Sequence, residues 1–200
     1  MTELTWQPGE LLRLFEESGA VRRGHFTLSS GLHSDMYVQC AMVLQHPQHA
    51  ERLGRSLAAR FGGTAIECVA SPALGGIVVG HEVARALGVR AIFAERDASG
   101  HLTLRRGFTV EPGECVLVVE DVWTTGGSTA ETIASIAEAG GRVVAAGALL
   151  DRSAGRLNLP VRTAALLELA FKNYEVEDCP LCRAGDTPER PGSRYQRARG

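Results

Sequence analysis

Lysine is almost absent from this chain. Of its 21 basic residues only Lys172 is a lysine, and the rest are arginines. Arginine does not readily give up its proton, so basic-group proton chemistry falls to the six histidines. Other absences narrow the class further. No apolar run nears the roughly 20 residues of a membrane span. The opening MTELTWQPGE carries early acids and no apolar signal core, so export is not expected. A formal net charge of −2 provides no basic field for nucleic acid. A Walker-type loop is excluded because no Gly-Lys-Ser/Thr run occurs, and a dinucleotide fingerprint because G-x-G-x-x-G is missing. Five cysteines, an odd number without an export signal, are expected as free thiols in a reducing, cytoplasmic compartment. Cys40, Cys68 and Cys115 lie among apolar neighbours and read as small core residues.

What is present is concentrated in VLVVEDVWTTGGS, Val116–Ser128. Val116 to Val119 read as a strand buried on both faces, as in a parallel sheet. Glu120 and Asp121 follow at its carboxyl end, where ligands dock on open α/β sheets. Thr124, Thr125, Gly126, Gly127 and Ser128 make a small-residue turn, and Ser128 with Glu131 fits a capping box that opens a helix there. Backbone N–H groups and the helix dipole attract phosphate, and glycine allows close approach. The two carboxylates suit hydroxyl groups or a divalent cation instead. Together they fit a ribose 5-phosphate. The plainer reading, an ordinary βα connection with a solvated acidic pair, accounts for the Gly-Gly but not for the whole pattern.

Two hundred residues suit one domain. Gly9–Ser18 and a segment from Pro47 read as helices, and Ile66–Ala70, Val89–Ala94, Arg142–Leu150 and Thr163–Leu169 as strands, with Gly76–Leu87 a helix between the first two. Repeated βαβ units predict an α/β fold: a mostly parallel twisted sheet with helices on both faces. Two segments depart from that plan. Residues 95–109 form a long polar insertion, with a turn at Asp97–Gly100, of the kind that often serves as a lid. The tail, 172–200, is rich in Pro, Gly and Arg, and its last ten residues are expected to be loosely held. No chemistry is assigned to Pro191–Arg194.

The Val116–Ser128 pattern closely resembles the phosphoribosyl pyrophosphate (PRPP) motif of type I phosphoribosyltransferases. The resemblance implies that Glu120 and Asp121 hold the ribose hydroxyls, that the turn of Thr124, Thr125, Gly126, Gly127 and Ser128 holds the 5-phosphate, and that Val122 and Trp123 belong to the same PRPP-binding stretch. Upstream, Arg23–Gln39 resembles the N-terminal signature of the orotate phosphoribosyltransferase family. Phe26, Leu28, Ser30, Gly31, Ser34 and Tyr37 match, and Val38 replaces a second aromatic. Tyr37 and Val38 would wall a planar base, although a surface hairpin with one packed aromatic fits that segment as well. Arg152 matches the family arginine on orotate, whose carboxylate a guanidinium binds through two parallel hydrogen bonds. Thr124 matches another orotate contact, and Ala73, Leu74 and Gly75 form the turn that takes pyrophosphate.

The resemblance covers roughly residues 10–170. It implies a single phosphoribosyltransferase domain, with a small hood over about 1–45, a core over about 46–170 and the lid over 95–109. It further implies Mg²⁺ as cofactor, carried mainly by PRPP without an assigned side-chain ligand, and a homodimer whose lids reach the neighbouring site. Lysines usual in this family are missing: Leu74 and Gly75 stand in the pyrophosphate turn, Ser29 replaces another, and the lid has none. Arg96, His101 and Arg105 are the candidate catalytic residues there, with Arg106 beside them; His101 alone can donate a proton. A purine-base phosphoribosyltransferase, or a PRPP-sensing regulator without activity, remains open. Cys179 and Cys182 in CPLC supply two metal ligands where a structural zinc needs four. No second CxxC or HxxxH pair accompanies them, so zinc is not expected within one chain.

Overall fold

The computed structural model describes residues 6–7 and 9–191. Residues 192–200, most of the stretch expected to be loosely held and most of Pro191–Arg194, lie outside them, as do 1–5 and 8 of the stretch read against export. In chain order the elements are α1 (Glu10–Glu17), β1 (Val21–Thr27), β2 (His33–Val38), α2 (Ala41–Leu44), α3 (Pro47–Ala59), β3 (Cys68–Pro72), α4 (Gly75–Leu87), β4 (Arg90–Arg96), β5 (Leu102–Leu104), β6 (Cys115–Trp123), α5 (Gly127–Glu138), β7 (Arg142–Asp151), β8 (Arg162–Glu168), β9 (Asn173–Tyr174) and α6 (Pro180–Arg183). No helix among the described residues is long and apolar enough to cross a membrane.

Six strands form the main sheet in the order β5-β4-β3-β6-β7-β8. All neighbours are parallel except β5, which returns antiparallel to β4. Val116 to Val119 are fully buried because both faces are covered. Leu117 and Val119 join Val69, Leu53, Leu57, Phe61, Val79 and Val83 on the α3–α4 side. Val116, with Cys68 and Ala70, packs against Ile136 of α5 on the other. This two-sided burial explains why β6 is a continuous apolar run rather than an alternating one. The strand order reverses between β3 and β6, which opens a crevice at their carboxyl ends.

The local signals mostly act as read. Pro47 stands at the start of α3, and Gly88 closes α4 in the left-handed region (φ 73°). The capping box does not form. Helix α5 begins at Gly127, with Gly126 (φ 80°) before it and no side-chain cap. Glu131 is unavailable because it accepts from Arg96 at 2.9 Å and from the Leu102 N–H at 3.4 Å.

The expected lid is more ordered than a loop. β4 and β5 form a hairpin that turns at Asp97–Gly100, with Asp97 Oδ1 accepting from the Ser99 and His101 N–H groups. A second sheet, β1-β2-β9, combines the N-terminal hairpin with a short strand from the tail, beyond Thr163–Leu169, which sequence reading took as the last strand. The tail returns again at Glu189, whose carbonyl accepts from the Thr27 N–H at 2.8 Å and whose N–H donates to the His25 carbonyl at 2.8 Å.

Helices α3 and α4 meet where Gly54 has no side chain: a Cβ there would lie 2.5 Å from Glu82 Cβ and 2.8 Å from its carbonyl carbon. Alanine gains roughly 1 kcal/mol of helix propensity over glycine. A clash with backbone outweighs that, since overpacking costs about 1–3 kcal/mol. Gly54→Ala should therefore lower the urea midpoint without changing the slope; an equal or higher midpoint would show that the helices can separate freely.

Candidate active site

Glu120 and Asp121 stand at the end of β6, facing the crevice across from the turn after β3. The approach is close: a Cβ on Gly75 would lie 2.6 Å from Asp121 Oδ1, so only glycine fits. Burial dominates the acid pair. It pushes Glu120 up to about 7, aided by the Asp121 charge and opposed by the Thr129 hydroxyl and Arg96. Burial also raises Asp121, opposed by hydrogen bonds from its own and the Val122 backbone N–H. Among the described residues no cation forms an ion pair with either carboxylate.

A relay braces the pair from below. Trp123 Nε1–H donates to Thr129 Oγ1 at 2.9 Å, and the Thr129 hydroxyl donates in turn to Glu120 Oε2. The Trp123 indole is 1 % exposed and packs with Val118, Ala146 and Ala148, on the same side of the sheet as Glu120. Val122 is likewise in the strand and packs against the core. Sequence reading missed Thr129, a hydroxyl one turn into the helix with no local signal for its partners.

Thr124, Thr125 and Gly127 are exposed, and Ser128 is half-buried in the first turn of α5. A Cβ on Gly126 would lie 2.6 Å from Leu157 Cδ1, so the turn is pressed against the loop after β7. Opposite, Ala73, Leu74 and Gly75 lead into α4; the Ala73–Leu74 peptide is cis, and Leu74 is 82 % exposed. Neither α4 nor α5 has a side-chain cap. Two open helix N-termini thus flank a half-buried acid pair: two anion positions with hydroxyl acceptors between them.

Arg152 follows β7 at the same edge, its N–H donating to the Trp123 carbonyl at 2.9 Å. The guanidinium stacks on Phe171, 4.5 Å from the ring centroid, and its only polar side-chain partner among the described residues is Asn173 Oδ1 at 3.5 Å. Burial without a carboxylate lowers its pKa. Asn173 pairs with Ser34 of β2, so this short tail strand brings Arg152 towards the hairpin that carries Tyr37 and Val38. Tyr37 packs on Phe26, 5.7 Å between ring centroids. Phe171 and Asn173 went unrecognised in sequence, although they follow β8 at the same sheet edge as Arg152.

The hairpin residues sit elsewhere. Arg96 is paired with Glu131 of α5. His101 Nδ1 lies 2.9 Å from the Ser99 hydroxyl, and the ring borders a groove with Glu131, Ser135 and Glu138. Arg105 is exposed, and Arg106 pairs with Glu95 at 2.6 Å. None of the four hydrogen-bonds to Glu120, Asp121 or the two turns in this structure.

A mostly parallel sheet whose order reverses at a half-buried acid pair between two uncapped helix starts defines a type I phosphoribosyltransferase. No protein-family model matches the chain. A curated orotate phosphoribosyltransferase of Pelotomaculum thermopropionicum is 56 % identical over 185 residues, covering 92 % of this chain and 97 % of the relative. The Mycobacterium tuberculosis orotate phosphoribosyltransferase, solved with PRPP, superposes with a TM-score of 0.66 at 26 % identity, over 80 % of this chain and 95 % of that one. An adenine phosphoribosyltransferase from Thermoanaerobacter pseudethanolicus shares the fold (TM-score 0.65, 18 % identity, covering 78 % and 99 %). The chain belongs to the orotate phosphoribosyltransferase family.

The raised Glu120 pKa makes a stability prediction. Between its ordinary 4.5 and about 7 the folded chain holds a proton that the unfolded chain has released, so stability falls as pH rises through that window. Glu120→Gln removes the liability. It should raise the thermal midpoint at pH 8, by at most about 3 kcal/mol of stability, and leave it unchanged at pH 4. An equal midpoint at pH 8 would mean that the carboxylate is adequately solvated.

Proposed function

We propose that this protein transfers ribose 5-phosphate from PRPP to N1 of orotate, giving orotidine 5'-monophosphate and pyrophosphate for pyrimidine (UMP) biosynthesis in the cytoplasm. The carrying observation is the unpaired, desolvated Arg152 guanidinium at the edge of a ribose-phosphate crevice. A shared fold does not choose the base, but a half-buried, desolvated cation without an anion favours a base that brings its own carboxylate. Phe171 supplies flat apolar surface beside it, and Tyr37 and Val38 would supply the rest of the wall.

Glu120 and Asp121 would accept hydrogen bonds from the ribose hydroxyls, which desolvation makes selective for a ligand with donors at that spot. The Thr124–Ser128 turn would hold the 5-phosphate, and the Ala73–Gly75 turn the pyrophosphate. As pyrophosphate leaves C1, positive charge develops on the ribose, and the half-buried carboxylates below it stabilise that charge electrostatically. Orotate attacks as a deprotonated nucleophile, so Arg152 and the aromatic wall orient it rather than activate it. The oxygen-only donors of the crevice fit Mg²⁺ carried on the substrate, where it would neutralise leaving-group charge. With Arg96 and His101 directed to the α5 side and Arg105 exposed, the hairpin suits a homodimer in which each copy completes its neighbour's site.

Purified protein should release pyrophosphate with orotate, and not with adenine, hypoxanthine or xanthine. Tight PRPP binding without base-dependent turnover would replace the enzyme with a sensor. Arg152→Ala should raise the orotate KM by about 10- to 100-fold, the value of a charge-assisted hydrogen bond, while the PRPP KM stays near wild type; equal effects on both would remove Arg152 from the base site. His101→Ala should lower kcat by about 100-fold with little change in orotate affinity. Near-normal turnover would move the leaving-group role to Arg96 or Arg105.

A further inference from the structure

The two cysteines of CPLC have the partners that sequence spacing did not reveal. Cys179 and Cys182 lie at either end of the single turn of α6, which aims both sulfurs to one side. Facing them are His25 of β1 and His33 of β2. His33 pairs with Thr27 across the hairpin, and His25, in the irregular stretch of β1 between Arg23 and Phe26, reaches the His33 ring. One atom from each of the four residues converges on one point: His25 Nε2, His33 Nδ1 and the two Sγ atoms all lie within 4.8 Å of one another. His25 Nε2 is 2.9 Å from His33 Nδ1, 3.4 Å from Cys179 Sγ and 3.7 Å from Cys182 Sγ, while Cys182 Sγ is 3.2 Å from His33 Nδ1.

Zn–S bonds of about 2.3 Å and Zn–N bonds of about 2.0–2.1 Å at tetrahedral angles place ligand atoms roughly 3.3–3.8 Å apart. The edges at 3.4 and 3.7 Å fall in that range, and those at 3.2 and 2.9 Å would open slightly around an ion. Burial agrees, since Cys179, His25 and His33 are at most 5 % exposed. The outer contacts agree too. His25 Nδ1 lies 3.1 Å from the Asp186 carbonyl and 3.9 Å from its carboxylate, so Nδ1 carries the proton and Nε2 presents a lone pair to the centre. A fixed outer partner of this kind is what orients a metal-bound histidine. A disulfide between the cysteines would need neither histidine.

We propose that His25, His33, Cys179 and Cys182 form a tetrahedral structural zinc site that fastens the tail to the N-terminal hairpin. Binding Zn²⁺ releases the two thiol protons to solvent and leaves two thiolate and two neutral imidazole ligands, a closed set with no open position for catalysis. The site spans segments about 150 positions apart. It sits on the strand that continues to Tyr37, and β9, just before α6, carries the Asn173 that touches Arg152. The metal would therefore hold the base-binding side of the crevice in place without touching substrate.

The test uses the full chain without a polyhistidine tag, purified under reducing conditions without chelator. It should carry about one zinc per chain, and Cys182→Ser should lose most of it, whereas Cys68→Ser should keep it. Chelation should lower the thermal midpoint of wild type and not that of Cys182→Ser. If Cys182→Ser does not accumulate, wild type alone decides. Stripped protein given Co²⁺ should develop the ligand-field bands of a tetrahedral ion and a thiolate-to-cobalt charge-transfer band. The proposal is overturned by no metal and no cobalt spectrum, by full zinc content in Cys182→Ser, or by a Cys179–Cys182 disulfide in reduced protein.

Discussion

The crevice depends on holding two adjacent, largely desolvated carboxylates beside bare backbone. Burying Glu120 and Asp121 without a cation is unfavourable, and the chain offsets part of it with the Trp123–Thr129 relay and two backbone N–H groups. The rest is left for ligand. Gly75 is part of the same arrangement, because any side chain there would occupy the Asp121 carboxylate. Strand order brings the two elements together: β3 and β6 are neighbours only because the chain reverses direction of travel across the sheet at that point.

Base choice is a separate matter. The same fold is found in an adenine phosphoribosyltransferase at 18 % identity, so the fold alone does not select a base. In the proposed reading the selecting groups would come from three places: Arg152 after β7, Phe171 and Asn173 after β8, and the β1–β2 hairpin. The tail is the connector. Its strand β9 lies along β2, its short helix brings two sulfurs to two histidines, and Glu189 returns to β1.

Scarcity of lysine shapes the remainder. Arginines at 85, 90, 96 and 106 form ion pairs that fasten helices, strands and the hairpin. All four are substantially exposed, so their contribution is geometric more than energetic. Arg96 is the instructive case: its pairing with Glu131 fixes the hairpin against α5 and at the same time removes the glutamate from a capping box. Cys40, Cys68 and Cys115 behave as buried core residues; burial raises the thiols of Cys40 and Cys68, so neither is a ready nucleophile.

By itself the sequence determined what is local. A four-residue apolar run, an acidic pair, a small-residue turn and Pro and Gly at helix ends act over a few positions, through strand burial and turn chemistry, and β6, its acid pair and the βα alternation follow from them. Tertiary structure alone decided what depends on the path of the chain: the inward turn of Trp123, the Thr129 contact, the hairpin in place of a loose lid, and Phe171 and Asn173 around Arg152. The CPLC cysteines show the difference most plainly. Two ligands were visible in a four-residue spacing, while the other two lie about 150 positions earlier, on strands that only the folded tail reaches.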